Sequence, residues 1–208
     1  MSTAVTLDAP CFVICTPMSS PLDWDLARQR SELLELMRTL CYREGDFKLS
    51  SGQSSSYYID SKKATLHPLG ALLAGSLLYE RLPEGTAAIG GLTLGADPIV
   101  TAVAVVSALR HPAGGVGAFI VRKEVKKHGS QQWIEGPSLA VGTPVVIVDD
   151  VVTTGASGLQ AAEKAEEAGL KVVKILALVD RHQGGGALYA GRGYPFEALY
   201  SIEEFRSR

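Results

Sequence analysis

The chain has 208 residues, of which 46% are hydrophobic and 20% charged, and its formal charge is -2. That length supports one hydrophobic core and is short for two independent domains. The near-neutral charge offers no overall attraction to nucleic acid or to an anionic membrane, and no long apolar run suggests a membrane span, so an anionic ligand has to be held by a local patch.

Residues 1–20, "MSTAVTLDAPCFVICTPMSS", lack the positive start of a secretory signal, and Met18 offers a second start. We expect a disordered or weakly packed extension there, without a functional role. Cys11, Cys15 and Cys41 are odd in number and complete no zinc spacing with histidine, which fits a reducing, cytoplasmic setting. Residues 21–208 read as a single domain. Leu26, Leu33, Leu36, Met37 and Leu40 predict an amphipathic helix over 22–41, opened by Pro21 and Asp23. The Ser/Gly/Tyr-rich "GDFKLSSGQSSSYYIDSKKA" has strand-like pieces at Phe47–Leu49 and Tyr57–Asp60, a small antiparallel element outside the parallel core.

A core over 66–182 follows, in which helices and strands alternate. "PLGALLAGSLLYERL" predicts a helix, "AAIGG" a buried strand, and "LTLGADPIVTAVAVVSALR" a loop feeding a helix. "GVGAFIVRK" predicts a strand, and "EVKKHGSQQWIEGPSL" is polar without clear periodicity, so a mobile loop is placed at about 122–137. "TPVVIVDD", "GASGLQAAEKAEEAGL" and "KVVKILALVDR" predict strand, helix and strand. Residues 183–208 form a C-terminal segment. The alternation predicts an α/β fold with a mostly parallel central sheet and helices on both faces, whose ligands sit beyond the C-terminal strand ends.

Asp149 and Asp150 close the apolar run "PVVIVDD". They could be a solvated strand end, with one acid capping the next helix. The turn after them, Thr153, Thr154, Gly155, Ala156, Ser157 and Gly158, instead offers backbone N–H groups and hydroxyls at a helix N-terminus, which suits a phosphate. Acids just upstream can take the hydroxyls of whatever carries that phosphate, so a sugar phosphate satisfies both halves. No Gly-Lys-Ser or Gly-Lys-Thr is present for a Walker loop, and the glycines come too late for a dinucleotide fingerprint.

"VVIVDDVVTTGASG" resembles the 5-phosphoribosyl 1-diphosphate (PRPP) signature of the type I phosphoribosyltransferases. The resemblance assigns Asp149 and Asp150 to the ribose hydroxyls, and Thr153, Thr154, Gly155, Ala156 and Ser157 to the 5-phosphate. "VRKEVKKHG" is similar to the catalytic loop of the orotate phosphoribosyltransferases, with Arg122, Lys123, Lys126 and His128 at that loop's spacing. In that family the loop reaches a neighbouring subunit, so the resemblance implies a homodimer in which residues of about 122–129 complete the partner's site. "FKLSSGQSSSYYID" resembles the orotate-binding segment, with Ser51 and Gly52 contacting the base and Tyr57 and Tyr58 framing its pocket. The resemblance makes residues 21–65 a base-binding N-terminal hood. Where some relatives carry a substrate-facing lysine this chain has Ser50. "GGLTLGADP" resembles the diphosphate loop, in which Gly90, Gly91, Gly95 and Ala96 allow close backbone approach. Gly95 stands where some relatives have a second lysine, and another cation such as Lys63 would have to take that place. In "ALVDRHQGG", Asp180 could be an ordinary cap, while Arg181 matches the arginine that reads orotate.

The resemblance implies Mg2+-dependent transfer of a phosphoribosyl group from PRPP to orotate in pyrimidine biosynthesis. Mg2+ would be held mainly by PRPP, through water to Asp149 and Asp150, with no direct protein ligand. PRPP and orotate are the expected partners, with no nucleic acid, no membrane and no fused second enzyme. Transfer to another nucleobase would share the acid pair and turn but has no need of "FKLSSG" or the Arg-Lys-x-x-Lys-x-His spacing. A non-enzymatic PRPP-binding regulator would be expected to lose those loop cations.

Overall fold

The structure, a computed structural model, describes residues 20–48, 54–124 and 133–206. Apart from Ser20, the extension read at 1–20 lies outside them. Pro21–Asp23 makes a 3-10 turn, and helix α1 (Leu26–Leu40) starts afresh after it. The helix expected over 22–41 is thus interrupted, because Asp25 accepts the Arg28 amide at 2.7 Å and so sets the true N-cap. Gln29, Leu33 and Met37, spaced four apart, are its buried stripe. The hood is the antiparallel pair β1 (Tyr42–Lys48) and β2 (Ser54–Ile59), in register from Tyr42 opposite Ile59. Its first strand begins earlier than Phe47, and a bulge between Glu44 and Phe47 bends it.

A short helix α2 (Lys62–Thr65) leads into α3 (Pro68–Tyr79). Helix α3 is apolar nearly all round because it packs against both α1 and α4 (Asp97–Arg110). The remaining elements are β3 (Ala88–Leu92), β4 (Gly117–Val121), β5 (Ile134–Glu135), β6 (Pro144–Val152), α5 (Ala156–Glu167), β7 (Lys171–Asp180), α6 (Gly185–Gly191), β8 (Phe196–Ser201) and α7 (Ile202–Arg206). They build a sheet of order β5-β4-β3-β6-β7-β8 in which every neighbouring pair is parallel except β4 with β5. The sequence reading did not assign β5, α2, α6, β8 or α7. Pairing resumes at Ile134, inside the span read as loop up to 137.

Side chains of β6 and β7 alternate between two cores. Val146, Val148, Leu176 and Leu178 join α1, α3 and α4, whereas Val145, Ile147, Ile175 and Ala177 join α5 and Tyr189 of α6. This period of two, with both faces covered, is why "PVVIV" and "ILALV" read as unbroken apolar runs.

Candidate active site

Strands β3 and β6 are the point where the winding reverses. From β3 the chain passes through α4 to β4 on one side; from β6 it passes through α5 to β7 on the other. The β3–β6 ladder runs from Ala88 opposite Val145 to Gly90 opposite Ile147, and both strands continue past it. A crevice at such a switch point is where open α/β sheets bind ligands.

Asp149 and Asp150 border this crevice. They lie before the end of β6 and not at it, because pairing with β7 continues to Val152 opposite Asp180. The Asp150 amide donates to Asp149 Oδ1 at 3.0 Å. Burial, and next the like charge of Asp150, pushes the Asp149 carboxyl up to about 7, against the pull of the Asp150 and Gly158 amides. The pair can therefore both donate and accept hydrogen bonds near neutral pH. Asp150 has a different neighbour: the Ser61 hydroxyl, on a residue only 1% exposed, donates to Asp150 Oδ2. Gly95 lies against the same carboxylate, where an added Cβ would sit 2.4 Å from Oδ1. A lysine stem at position 95 would displace a carboxylate that Ser61 holds, which is a physical reason for glycine there. Lys62 bonds Asp60 at 2.8 Å, and Asp60, followed by Asp150, raises its pKa. Lys62 is thus a hood lysine whose charge is coupled to Asp150, while Lys63 beside it is exposed.

The turn after β6 is the N-terminus of α5. Gly155 is its N-cap at φ 84°, a left-handed conformation that suits glycine, and no side chain caps the helix. Thr154, Ala156 and Ser157 are exposed and Thr153 half-buried, so first-turn amides and hydroxyls can meet an anion. The turn is backed by α6: the Gly185 amide donates to the Thr153 carbonyl at 3.1 Å. Beneath it lies buried Tyr189, and a Cβ added to Gly158 would stand 2.3 Å from its Oη. Burial, with the charges of Asp149 and Asp180, holds that phenol above its ordinary range.

The glycines of β3 serve the chain's own packing. A Cβ at Gly90 would strike the Phe119 ring, and one at Gly91 the Val148 carbonyl and Ala96 Cβ. On the opposite wall, Arg181 is only 8% exposed and reaches the hood, donating from Nε to Tyr57 Oη at 2.8 Å and from Nη2 to Ser55 Oγ at 3.1 Å. Tyr57 is buried, whereas Tyr58 is exposed and pairs with Phe47 at 5.5 Å between centroids. Asp180 caps no helix, since α6 starts after Gly184 without a side-chain cap; its carboxylate instead makes a local turn, accepting the His182 amide at 2.8 Å. Arg122 follows the C-terminal end of β4, where it bonds Glu135 at 2.9 Å and its amide donates to the Trp133 carbonyl at 2.8 Å. Lys123 beside it is exposed. Ser51, Gly52, Lys126 and His128 lie outside the described residues.

The structure thus brings the acid pair, the turn, Gly95 and Arg181 to one end of the sheet. It adds Ser55, Ser61, Lys62 and Tyr189, which sequence reasoning missed. Ser55 sits within a run of three serines and Ser61 between an acid and two lysines, and neither setting distinguishes a site residue from an ordinary surface serine. Among the described residues no group of three or more His, Cys, Asp or Glu could hold a metal directly, and no helix is long and apolar enough to cross a membrane.

Comparison with known proteins places this geometry. Residues 92–192 match the family model for the phosphoribosyl transferase domain. An orotate phosphoribosyltransferase from Nostoc sp. is 50% identical over 188 residues, covering 90% of each chain. The crystal structure of Mycobacterium tuberculosis orotate phosphoribosyltransferase in complex with Fe(III) dicitrate superposes with a TM-score of 0.74 at 37% identity, covering 85% of this chain and 98% of that one. The same enzyme in complex with PRPP gives a TM-score of 0.71 at 34% identity, covering 86% and 99%. With its doubly wound sheet of type I phosphoribosyltransferase fold, the chain belongs to the orotate phosphoribosyltransferase family.

Proposed function

We propose that the protein is a cytoplasmic enzyme of pyrimidine biosynthesis, transferring the 5-phosphoribosyl group of PRPP to N1 of orotate. The products are orotidine 5'-monophosphate and diphosphate. The observation that carries this reading is the convergence on one crevice of an acid pair, an uncapped helix N-terminus and a buried guanidinium. The α5 turn, Thr153 to Ser157, binds the 5-phosphate, and Asp149 and Asp150 take the ribose hydroxyls. Arg181 and the hood hold the base. The C1–O bond to diphosphate breaks as the C1–N1 bond forms, through an oxocarbenium-like state. Orotate arrives as an anion, so the protein's task is to align the two reactants and exclude water. The Asp149 carboxyl, held up by burial and by Asp150, fits a site that awaits hydroxyl donors and positive charge. Mg2+ on the diphosphate would neutralise its growing charge, with Asp149 and Asp150 holding the ion through water.

Lys126 and His128 are assigned to the diphosphate, with Arg122 and Lys123 at the root of their loop. A homodimer is supported by an apolar groove of about 780 Å³ between α3 and α4, edged by Leu66, Leu94, Pro98 and Val105. Leu66 and Leu94 on its rim are 71% and 70% exposed, apolar surface that a second subunit would cover. The test is consumption of orotate with PRPP and Mg2+, run beside adenine, guanine and uracil. Orotate alone should disappear, and a ribosylated purine with orotate untouched would overturn the base assignment. Lys126→Ala should lose most turnover with its fold intact, and mixing it with Arg181→Ala should restore some activity once subunits exchange. Normal turnover of Lys126→Ala would end its catalytic role, and mixing without rescue would end the shared site.

A further inference from the structure

We infer that Tyr57 and Ser55 are positioning residues that fix one edge of the Arg181 guanidinium and so present its other edge to a planar carboxylate. The inference rests on the reading of Arg181 as the residue that holds the base. A guanidinium is planar, and its Nε–H and one Nη2–H lie along a single edge. In this protein both are taken, by Tyr57 Oη at 2.8 Å and by Ser55 Oγ at 3.1 Å. The parallel N–H groups of Nη1 and Nη2 form the second edge, whose spacing matches the two oxygens of a carboxylate.

The acceptors are themselves oriented. The Ser55 hydroxyl donates its proton to the Tyr57 carbonyl at 2.7 Å, so toward Arg181 it can only accept. The Tyr57 ring is packed by Tyr42 at 5.8 Å between centroids. The guanidinium carbons of Arg181 and Arg206 lie 4.5 and 4.6 Å from its centre. The ring therefore has little room to swing, and its hydroxyl is fixed with it. Both acceptors are neutral, and Arg181 forms no ion pair among the described residues. The carboxylate next to it in sequence, that of Asp180, is engaged by the His182 amide and by His182 Nδ1 at 3.1 Å. A buried cation held by neutral groups on one edge favours an anion on the other. Tyr57 thus acts on the base through Arg181 and does not touch it. The sequence had set both tyrosines at the pocket wall, yet only Tyr57 is buried.

Tyr57→Phe keeps the ring and its packing and removes only the acceptor for Nε. Binding is read by calorimetry with orotate, with uracil as the carboxylate-free ligand, and with PRPP. Losing a hydrogen bond to a charged group should weaken orotate about tenfold while uracil and PRPP change less than about twofold. The KM for orotate should rise while kcat stays within about twofold. Equal weakening of all three ligands, or unchanged orotate affinity, overturns the inference. Arg181→Ala separates the two failures. If Arg181→Ala leaves orotate binding intact, the reading of the base site itself is wrong. If it abolishes orotate binding while Tyr57→Phe does not, only the positioning role fails. Ser55→Ala, which removes the Nη2 acceptor, gives the same readout should Tyr57→Phe not fold.

Discussion

Replacing Ser61 with alanine isolates the contact between the hood and the acid pair. The Ser61 side chain caps no helix, while its carbonyl accepts the Ala64 and Thr65 amides at 2.9 Å, and those bonds survive the substitution. What is lost is the hydroxyl that donates to Asp150. A hydrogen bond to a charged group contributes about 1.5–3 kcal/mol. Asp150 is half-buried and faces the crevice, so water can replace part of that, and the lower end, about 1.5 kcal/mol, applies. If Asp150 must be held in place to accept a ribose hydroxyl, the loss appears as roughly tenfold weaker PRPP binding. Calorimetric titration of PRPP into the wild type and Ser61→Ala measures it, with orotate titration and thermal unfolding as controls. Orotate affinity should be unchanged. A PRPP Kd within about twofold of wild type would refute the reasoning and leave Ser61 as a packing residue.

Asp149 should also leave a signature in stability. Its folded pKa is raised from 3.8 to about 7, so between those values the native state keeps a proton that the unfolded chain has released. The associated stabilisation is complete below 3.8 and is lost as pH rises through about 7. The ligand-free protein should therefore melt at a lower temperature at about pH 8 than at about pH 5, and Asp149→Asn should narrow that difference; an unchanged difference would count against it. Gly158→Ala brings a Cβ to 2.3 Å from Tyr189 Oη and should destabilise the protein by about 1–3 kcal/mol in denaturant unfolding. Adding Tyr189→Phe removes the clashing oxygen and leaves 3.0 Å to the ring carbon, so the double variant should recover part of the loss. No recovery would mean that the two do not clash.

What the sequence made legible was whatever is encoded locally. "PVVIVDDVVTTGASG" announces a strand, two acids and a helix start within a few residues, and the structure builds those elements in that order. What it hid depends on distant partners. Ile134 and Glu135 are too few to show any period, and they are a strand only because Ile120 and Val121 lie opposite. "GGALYAG" reads as loop from its glycines, yet it coils because Tyr189 is buried against α5 and Phe196, 5.1 Å away between ring centroids. Ser61 and Asp150 are far apart in the chain, and no pattern in either segment links them. Lys62 and Lys63 are indistinguishable as letters; the helix geometry of α2 gives one of them Asp60 and turns the other to water.

The alternation of β6 and β7 between two cores bears on how the molecule comes apart. Val146 and Val148 face one layer of helices, and Val145 and Ile147 face the other. The same short backbone thus anchors both layers, so loss of its register removes side chains from both at once. Unfolding of this part of the chain is accordingly expected to be cooperative across the sheet, with amides of β6 and β7 exchanging together. Because the acid pair lies within that shared strand, between Val148 and Val151, a ligand gripping the crevice stabilises both halves together.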